Sequence, residues 1–230
     1  MKFHILTIMP EFFQGVFEAG IIGRALHNGF AELEITNLRD FTEDIHRTVD
    51  DRPYGGGAGM VLKPEPIGKA LDQIKGRTKG TPPKVILLSA QGRVFCQRDA
   101  ENWAGSGQVI LICGRYEGVD ERVAQQLTDE EISIGDFVLS GGEAAAVVIV
   151  DAVLRLVPGV VGNSESIAMD SFSSGILGYP QYTRPAIFRQ CRVPEVLLGG
   201  NHEEIRCWRE KQAWEKTRRN RPDLLHKSTG

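Results

Sequence analysis

Apolar residues along this chain fall in short, nearly unbroken runs. Phe3 to Met9 (FHILTIM), Lys84 to Ser89 (KVILLS) and Val109 to Cys113 (VILIC) read as strands buried on both faces, because a strand with one wet face alternates with a period of two. Leu33 to Leu38 does alternate and predicts a second strand, and Glu131 to Ile134 predicts a short late one. Helical patterns lie between them. Pro10-Glu11 opens one, since proline suits the first helical position. Others run from Lys63 to Lys75 after Pro64, around Gln97 to Trp103, from Glu117 to Gln126, and from Glu143 to Val157, where Pro158-Gly159 stops the helix. Strands alternating with helices predict an α/β fold with a mostly parallel sheet.

Two stretches break this rhythm. Arg39 to Met60 (RDFTEDIHRTVDDRPYGGGAGM) is polar and without periodicity, and connections of that length are usually functional or mobile. Val160 to Gly175 is small and polar, with two glycines, and reads as a linker. Beyond YPQYTRP the pattern is helical again. Asn201 to Glu204 (NHEE) has the form of a capping box with asparagine as the cap. Trp208 and Trp214 are six positions apart, so on a helix they face different sides. One packs on the core and the other is free for a contact.

Composition changes the picture little: 230 residues with 41% hydrophobic and 25% charged side chains describe an ordinary globular chain with a sizeable core. Cys96, Cys113, Cys191 and Cys207 form no CxxC pair and no cluster with histidine. That spacing predicts free thiols in a reducing, cytoplasmic setting, and neither a disulfide framework nor a structural zinc. MKFHILTIMP is too short for a signal sequence, and Asp151 and Arg155 interrupt the longest apolar run, so no membrane span is expected. Charge is more informative. From Gln181 to Gly230 eleven basic side chains face six acidic ones, a surplus of five, which leaves minus eight for the rest of a chain of net charge −3. A basic end on an acidic body suits a polyanionic partner; a solvated helix face is the plain alternative.

Several nucleotide and hydrolase signatures are absent. GGGAG at Gly55 to Gly59 is not followed by Lys-Ser/Thr, and no GxGxxG, GxSxG or HExxH occurs. Glycines fall instead at the carboxyl ends of three expected strands: SAQGR, CGRYEGVDER and SIGDFVLSGGE. Ligands of open α/β sheets bind at those ends, and glycine lets the backbone approach a ligand closely. Taken alone, SIGDFVLSGGE is equally a turn into a helix. Three such loops at one edge point to a ligand site.

These strings, with HRTVDDRPYGGGAGM, the DSF at Asp170 and YPQYTRP, resemble the bacterial tRNA (guanine-N1)-methyltransferases, members of the SPOUT class. The resemblance runs from the first strand to about Arg221. It implies an α/β fold whose mostly parallel sheet carries a C-terminal trefoil knot, followed by a small helical C-terminal domain. Residues 1–159 would be the knotted cofactor-binding domain, 160–176 a flexible linker, and 177–230 a helical, basic domain that binds tRNA. It further implies a cytoplasmic homodimer that methylates N1 of the guanosine at tRNA position 37, next to the anticodon, from S-adenosylmethionine, helped by loosely held magnesium with no assigned ligands.

The resemblance assigns residues as well. Leu88, Ser89, Ala90, Gln91 and Gly92, then Gly114, Tyr116, Glu117 and Gly118, then Ser133, Ile134, Gly135, Asp136, Phe137, Val138, Leu139, Gly141 and Gly142 would hold the cofactor, largely through backbone atoms. Tyr116 and Glu117 fall by its methionine part; Glu117 reads equally as a first-turn helix glutamate. Asp170 maps onto the general base that takes the N1 proton, and Arg155 onto the guanidinium that stabilises charge developing on guanine. From composition alone Asp170 is a solvated linker carboxylate, and Arg155 is spaced to pair with Asp151. His46, Asp50, Arg52 and Gly59 of the polar loop, and Arg184 of YPQYTRP, would meet tRNA; Asp50 or Asp51 with Arg52 reads also as a loop ion pair. Two positions depart from the family pattern. Ala90 replaces the usual proline of the first loop, and Gly178 stands where an acidic residue is common. The competing readings are a SPOUT enzyme acting on ribose or another base, and a non-catalytic RNA-binding module. Asp170 separates the first, because ribose methylation need not deprotonate a ring nitrogen.

Overall fold

Val109, Leu111 and Cys113 belong to one hydrophobic cluster and Ile110 and Ile112 to another, and all five are fully buried. The unbroken apolar run is thus a strand with a core on each face. The structure is a computed structural model and describes residues 1–162 and 167–225. It divides into two compact units, Met1–Gly162 and Asn163–Gly230.

In chain order the first unit contains β1 (Lys2–Thr7), α1 (Gly20–His27), β2 (Glu32–Asn37), β3 (Asp50–Asp51), β4 (Val61–Leu62), α2 (Pro64–Arg77), β5 (Lys84–Val94), α3 (Gln97–Ala104), β6 (Gln108–Cys113), α4 (Glu121–Gln126), β7 (Glu130–Ser133) and α5 (Glu143–Leu154). Five strands form a parallel sheet in the order β2-β1-β6-β5-β7. One face carries Phe3, Ile5, Ile86 and Leu111 beneath Ile22 of α1, Trp103 of α3 and Ile149 of α5. The other carries Leu6, Leu87 and Ile112 beneath Ile67 and Leu71 of α2 and Val123 of α4. The α/β, parallel architecture read from the apolar runs is the one observed.

Four local expectations are corrected. The helix expected at Pro10 is two short 3-10 turns, Pro10–Phe13 and Val16–Glu18, because Gly15 and Gly20 take positive φ values of 75° and 64° and interrupt it. The helix expected from Glu117 starts only at Glu121. Asp120 caps it, accepting from the Arg122 amide at 3.0 Å, while residues ahead of it pair with β4. The helix expected to reach Val157 closes at Leu154 and continues as turns. The third strand is longer than Lys84 to Ser89, and it is broken in the middle. Leu88 pairs with Ile132, and so does Arg93, five residues later. Residues 89–92 therefore leave the sheet and return to it. Gly92 makes the return possible, since a Cβ there would overlap the Glu131–Ile132 peptide.

A buried ionic contact fixes the start of α5. Glu143 is 1% exposed. Its Oε1 accepts from Thr7 Oγ1 at 2.7 Å, and both carboxylate oxygens lie 3.2 Å from Arg115 Nε. One side chain thereby joins the end of β1, the loop after β6 and the N-terminus of α5. Gly141 leaves it room: a Cβ there would stand 2.7 Å from Arg115 Nε.

Within β1, between β2 and β6, His4 is 2% exposed and neither ring nitrogen has a hydrogen-bond partner among the described residues; Nδ1 lies 3.4 Å from Glu34 Oε2. Burial holds the imidazole below its ordinary 6.5, against the pull of Glu34.

The described part of the second unit contains a hairpin, β8 (Ile187–Phe188) with β9 (Cys191–Arg192), and the long helix α6 (His202–Asn220). Asn201 caps α6 as expected, accepting from the Glu203 and Glu204 amides at 3.2 and 3.4 Å. Trp208 lies half-buried beside Tyr182, and Trp214 is 48% exposed with Arg218 over its ring. Within the stretch read as a linker, residues 163–166 lie outside the described residues, as does the tail 226–230 with Lys227. The rest is hydrogen-bonded turn: Ser173 Oγ donates to the Ile167 carbonyl at 2.7 Å and the Gly178 amide to Ser171 Oγ at 2.9 Å.

Two outcomes follow for stability. Glu143→Gln removes the charge partner of Arg115 inside the fold and should cost about 3 kcal/mol, read as an earlier urea-unfolding midpoint; an unchanged midpoint removes the contact from any stabilising role. For His4 the folded value is depressed, so the unfolded chain binds the proton more readily. Its contribution is present above about pH 6.5 and is lost as pH falls through the folded value. Wild-type protein should therefore lose more thermal stability between about pH 7 and pH 5 than His4→Gln does, and equal losses would refute this.

Candidate functional site

Three loops leave the carboxyl ends of β5, β6 and β7 and enclose a cleft of about 240 Å³. Its floor is apolar, made by Leu87, Leu88 and Ile132. The first wall is the excursion 89–92. Here Ser89 Oγ accepts from the Gln91 amide at 3.1 Å, a side-chain turn that holds the loop where Ala90 stands in place of the family's proline.

The second wall is the loop after β6. Tyr116 sits at φ +61° and Gly118 at φ +138°, conformations that turn the chain sharply where it lines the cleft. This loop is stitched to β4: the Glu117 amide donates to the Met60 carbonyl and the Leu62 amide to the Gly118 carbonyl, each at 3.0 Å. The polar loop 39–60 is so drawn to the cleft, with Gly59 against the Glu117 side chain. Glu117 is not a helix-start glutamate; it lies in a turn ahead of α4, between Tyr116 and Val119, which bridge to Val61 and Leu62 of β4.

The third wall runs from Ser133 to Gly142. Ser133 Oγ donates to the Gly135 carbonyl at 2.9 Å and accepts from the Gly135 amide at 3.2 Å. Gly135 has φ +150°, and a Cβ there would come within 2.5 Å of the Phe137 ring. The wall closes on the second loop, where the Gly142 amide donates to the Gly114 carbonyl at 2.8 Å. A Cβ on Gly142 would stand 2.8 Å from Cys113 Cα, so only glycine permits this contact. Phe137, Val138 and Leu139 remain exposed.

The cleft thus brings together Leu88, Ser89, Ala90 and Gln91, then Gly114, Tyr116, Glu117 and Gly118, then Ser133, Ile134, Gly135, Phe137, Val138, Leu139, Gly141 and Gly142. Two expected members are not on its walls. Gly92 is used for backbone packing on β7, and Asp136 is solvent-exposed. Arg115, Glu131 and Ser140 line the cleft without having been singled out. Glu143 lies behind the wall and went unread, although an acidic residue heading an all-apolar helix was its signal.

Glu117, Glu121 and Glu131 ring the cleft, while its one cation, Arg115, faces Glu143. The field therefore suits a ligand with positive charge and an apolar, flat part. Cys113, next to Gly114, is no nucleophile: burial raises its thiol well above the ordinary range, and the nearby Glu143 charge adds to this.

Other expected residues are not among those lining the cleft. Asp50 is in β3 opposite Leu62; Arg52 contacts Asp51 through its amide, at 2.7 Å; His46 is exposed in the preceding turn. Arg155 follows α5, half-buried, its amide donating to the Asp151 carbonyl at 3.2 Å. Asp170 belongs to the second unit, exposed, its amide donating to the Ile167 carbonyl at 3.2 Å. Arg184 is exposed in the same unit. Gly178 is not dictated by local geometry, since a Cβ there would meet its nearest atoms at 3.4 Å. All four cysteines are free. Among the described residues no group of three or more His, Cys, Asp or Glu is placed to hold a metal ion, and no helix is long and apolar enough to cross a membrane.

Residues 1–227 match the family model described as tRNA (Guanine-1)-methyltransferase TrmD. A protein of Persephonella marina named tRNA (guanine-N(1)-)-methyltransferase is 56% identical over 229 residues, spanning 99% of this chain and 89% of the relative. A Dictyoglomus turgidum protein of the same name is also 56% identical over 229 residues, spanning 100% and 91%. One from Geobacter sulfurreducens is 52% identical over 228 residues, spanning 99% and 92%. With half or more of its residues shared along its whole length, the chain belongs to the tRNA (guanine-1)-methyltransferase family.

Proposed function

We propose that this chain methylates N1 of the guanosine at tRNA position 37, next to the anticodon, with S-adenosylmethionine held in the three-loop cleft. The observation that carries the reading is the cleft itself: a glycine-bearing, largely backbone-walled site at the carboxyl edge of the sheet, in a chain matching the tRNA (guanine-1)-methyltransferase family over residues 1–227. Its walls fit the cofactor. Flat apolar surface from Leu87, Leu88 and Ile132 suits an adenine, free backbone groups suit its polar edge, and the carboxylates of Glu117, Glu121 and Glu131 suit a cationic methionine end. When bound, S-adenosylmethionine supplies a methyl group on a positively charged sulfur.

The chain's own residues have two further tasks. Guanine N1 carries a proton at neutral pH, and a base must accept it as N1 becomes the nucleophile. Asp170 takes that proton on its carboxylate, and closure over tRNA removes water from it and makes it a stronger base. The guanidinium of Arg155 donates to guanine O6, where negative charge gathers as the proton leaves. His46, Asp50, Arg52 and Gly59 of the first unit meet the RNA, and so does Arg184 with the basic domain 177–230. Residues 160–176 act as the connection between the two domains. Residues 1–159 form the SPOUT domain with its trefoil knot. The double pairing of Ile132 and the Gly142–Gly114 bond support a chain threaded there. The enzyme works as a cytoplasmic homodimer in which the partner completes each site.

Mass spectrometry of tRNA incubated with the protein and S-adenosylmethionine should map the new methyl group to N1 of that guanosine; a methylated ribose or another base would overturn the assignment. Asp170→Ala should lose about 100-fold or more of turnover while calorimetry finds cofactor affinity unchanged, and near-normal turnover would remove Asp170 from its role. Affinity for tRNA should fall by more than about tenfold as salt rises from about 50 to 200 mM. A flat salt response would refute the electrostatic role of the second unit.

A further inference from the structure

The second unit has a pocket of its own, about 390 Å³, lined by Tyr179, Tyr182, Trp208, Arg184 and Arg209. Its chemistry is unusual for a structural hollow. The Tyr182 and Trp208 rings lie 6.2 Å apart, and Tyr182 is 48% exposed. The Arg209 guanidinium sits 4.8 Å from the centre of the Tyr179 ring, and its Nε is buried without a hydrogen-bond partner. Some cations of this unit are paired locally: Arg206 with Glu203 and Glu210, Lys211 with Glu215, Arg221 with Asp223. Among the described residues neither Arg184 nor Arg209 is in an ion pair. Two of the unit's unpaired arginines thus line the same pocket as the aromatic faces.

We infer that this pocket takes one unpaired nucleobase of the bound RNA, stacked on the exposed Tyr182 ring with the inclined Trp208 ring at its edge, and held at its own edge or phosphate by Arg184 and Arg209. The inference rests on the reading of this chain as a tRNA-modifying enzyme and adds a second point of grip, outside the three-loop cleft. Aromatic rings beside a planar guanidinium stack any base, because every base presents a π face. A paired base inside a helix has both faces covered by its neighbours. The pocket therefore selects a loop or an unpaired end.

The test uses full-length protein carrying Trp214→Phe, so that Trp208 is the accessible tryptophan; Trp103 is 1% exposed. Titration with an RNA stem-loop bearing unpaired loop bases should quench Trp208 fluorescence, and a blunt RNA duplex of equal length should not. Equal quenching by both, or none by either, overturns the proposal. Tyr182→Leu should raise KM for tRNA about tenfold with kcat and cofactor affinity within twofold, and Tyr182→Phe should restore KM. If Tyr182→Leu unfolds, Arg209→Lys keeps the charge and loses the flat face, and should raise KM in the same way; a normal KM for the folded variant refutes the pocket. Failure of the enzyme reading is distinguishable, because absence of methylated product would leave the quenching result to stand or fall alone.

Discussion

The structure depends on backbone touching backbone at the carboxyl edge of β5, β6 and β7. Gly92 lies on the Glu131–Ile132 peptide, Gly142 on Cys113, and Gly114 beside the Leu88 carbonyl. A side chain at the first two would push the strands apart, and one at Gly114 would crowd that carbonyl. This close approach lets the chain leave β5, return to it, and bring the SGGE loop against the loop after β6. The glycines are a demand of packing before they are a feature of any binding site. The cleft is what remains between three loops held together this tightly.

Charge is handled differently in the two units. In the first, the buried carboxylate of Glu143 is satisfied by Thr7 and Arg115, so it organises the walls without presenting charge to a ligand. The carboxylates at the cleft's edge are free to set its polarity. In the second, Arg206, Lys211 and Arg221 are paired with nearby carboxylates, and Arg184 and Arg209, in no ion pair among the described residues, sit with the aromatic rings. A polyanion with unpaired bases matches the second unit; a small ligand with a cationic end matches the first.

Much of the site was legible because its signals are local. Unbroken apolar runs such as VILIC mark strands with two covered faces, and the residue after such a run stands at the sheet edge. SAQGR, CGRYEGVDER and SIGDFVLSGGE could be aligned on that edge from the pattern alone. Asn201 announced its helix for the same reason, since a cap acts within three residues. Misreadings arose where a distant partner overrode a local preference. Glu117 to Asp120 has a helical sequence, yet β4 captures its backbone, which comes from more than fifty residues earlier.

The sequence by itself determined the α/β class, the strands and the three loops, because burial on two faces and positive φ leave residue-level marks. Only the tertiary structure decided that β5 breaks and resumes, that Glu143 clamps β1 to the loop after β6, and that Tyr116 and Val119 bridge back to β4. Each of these is a pairing between segments far apart in the chain. A residue's type records what it needs from its surroundings, and the fold alone decides which distant atoms supply it.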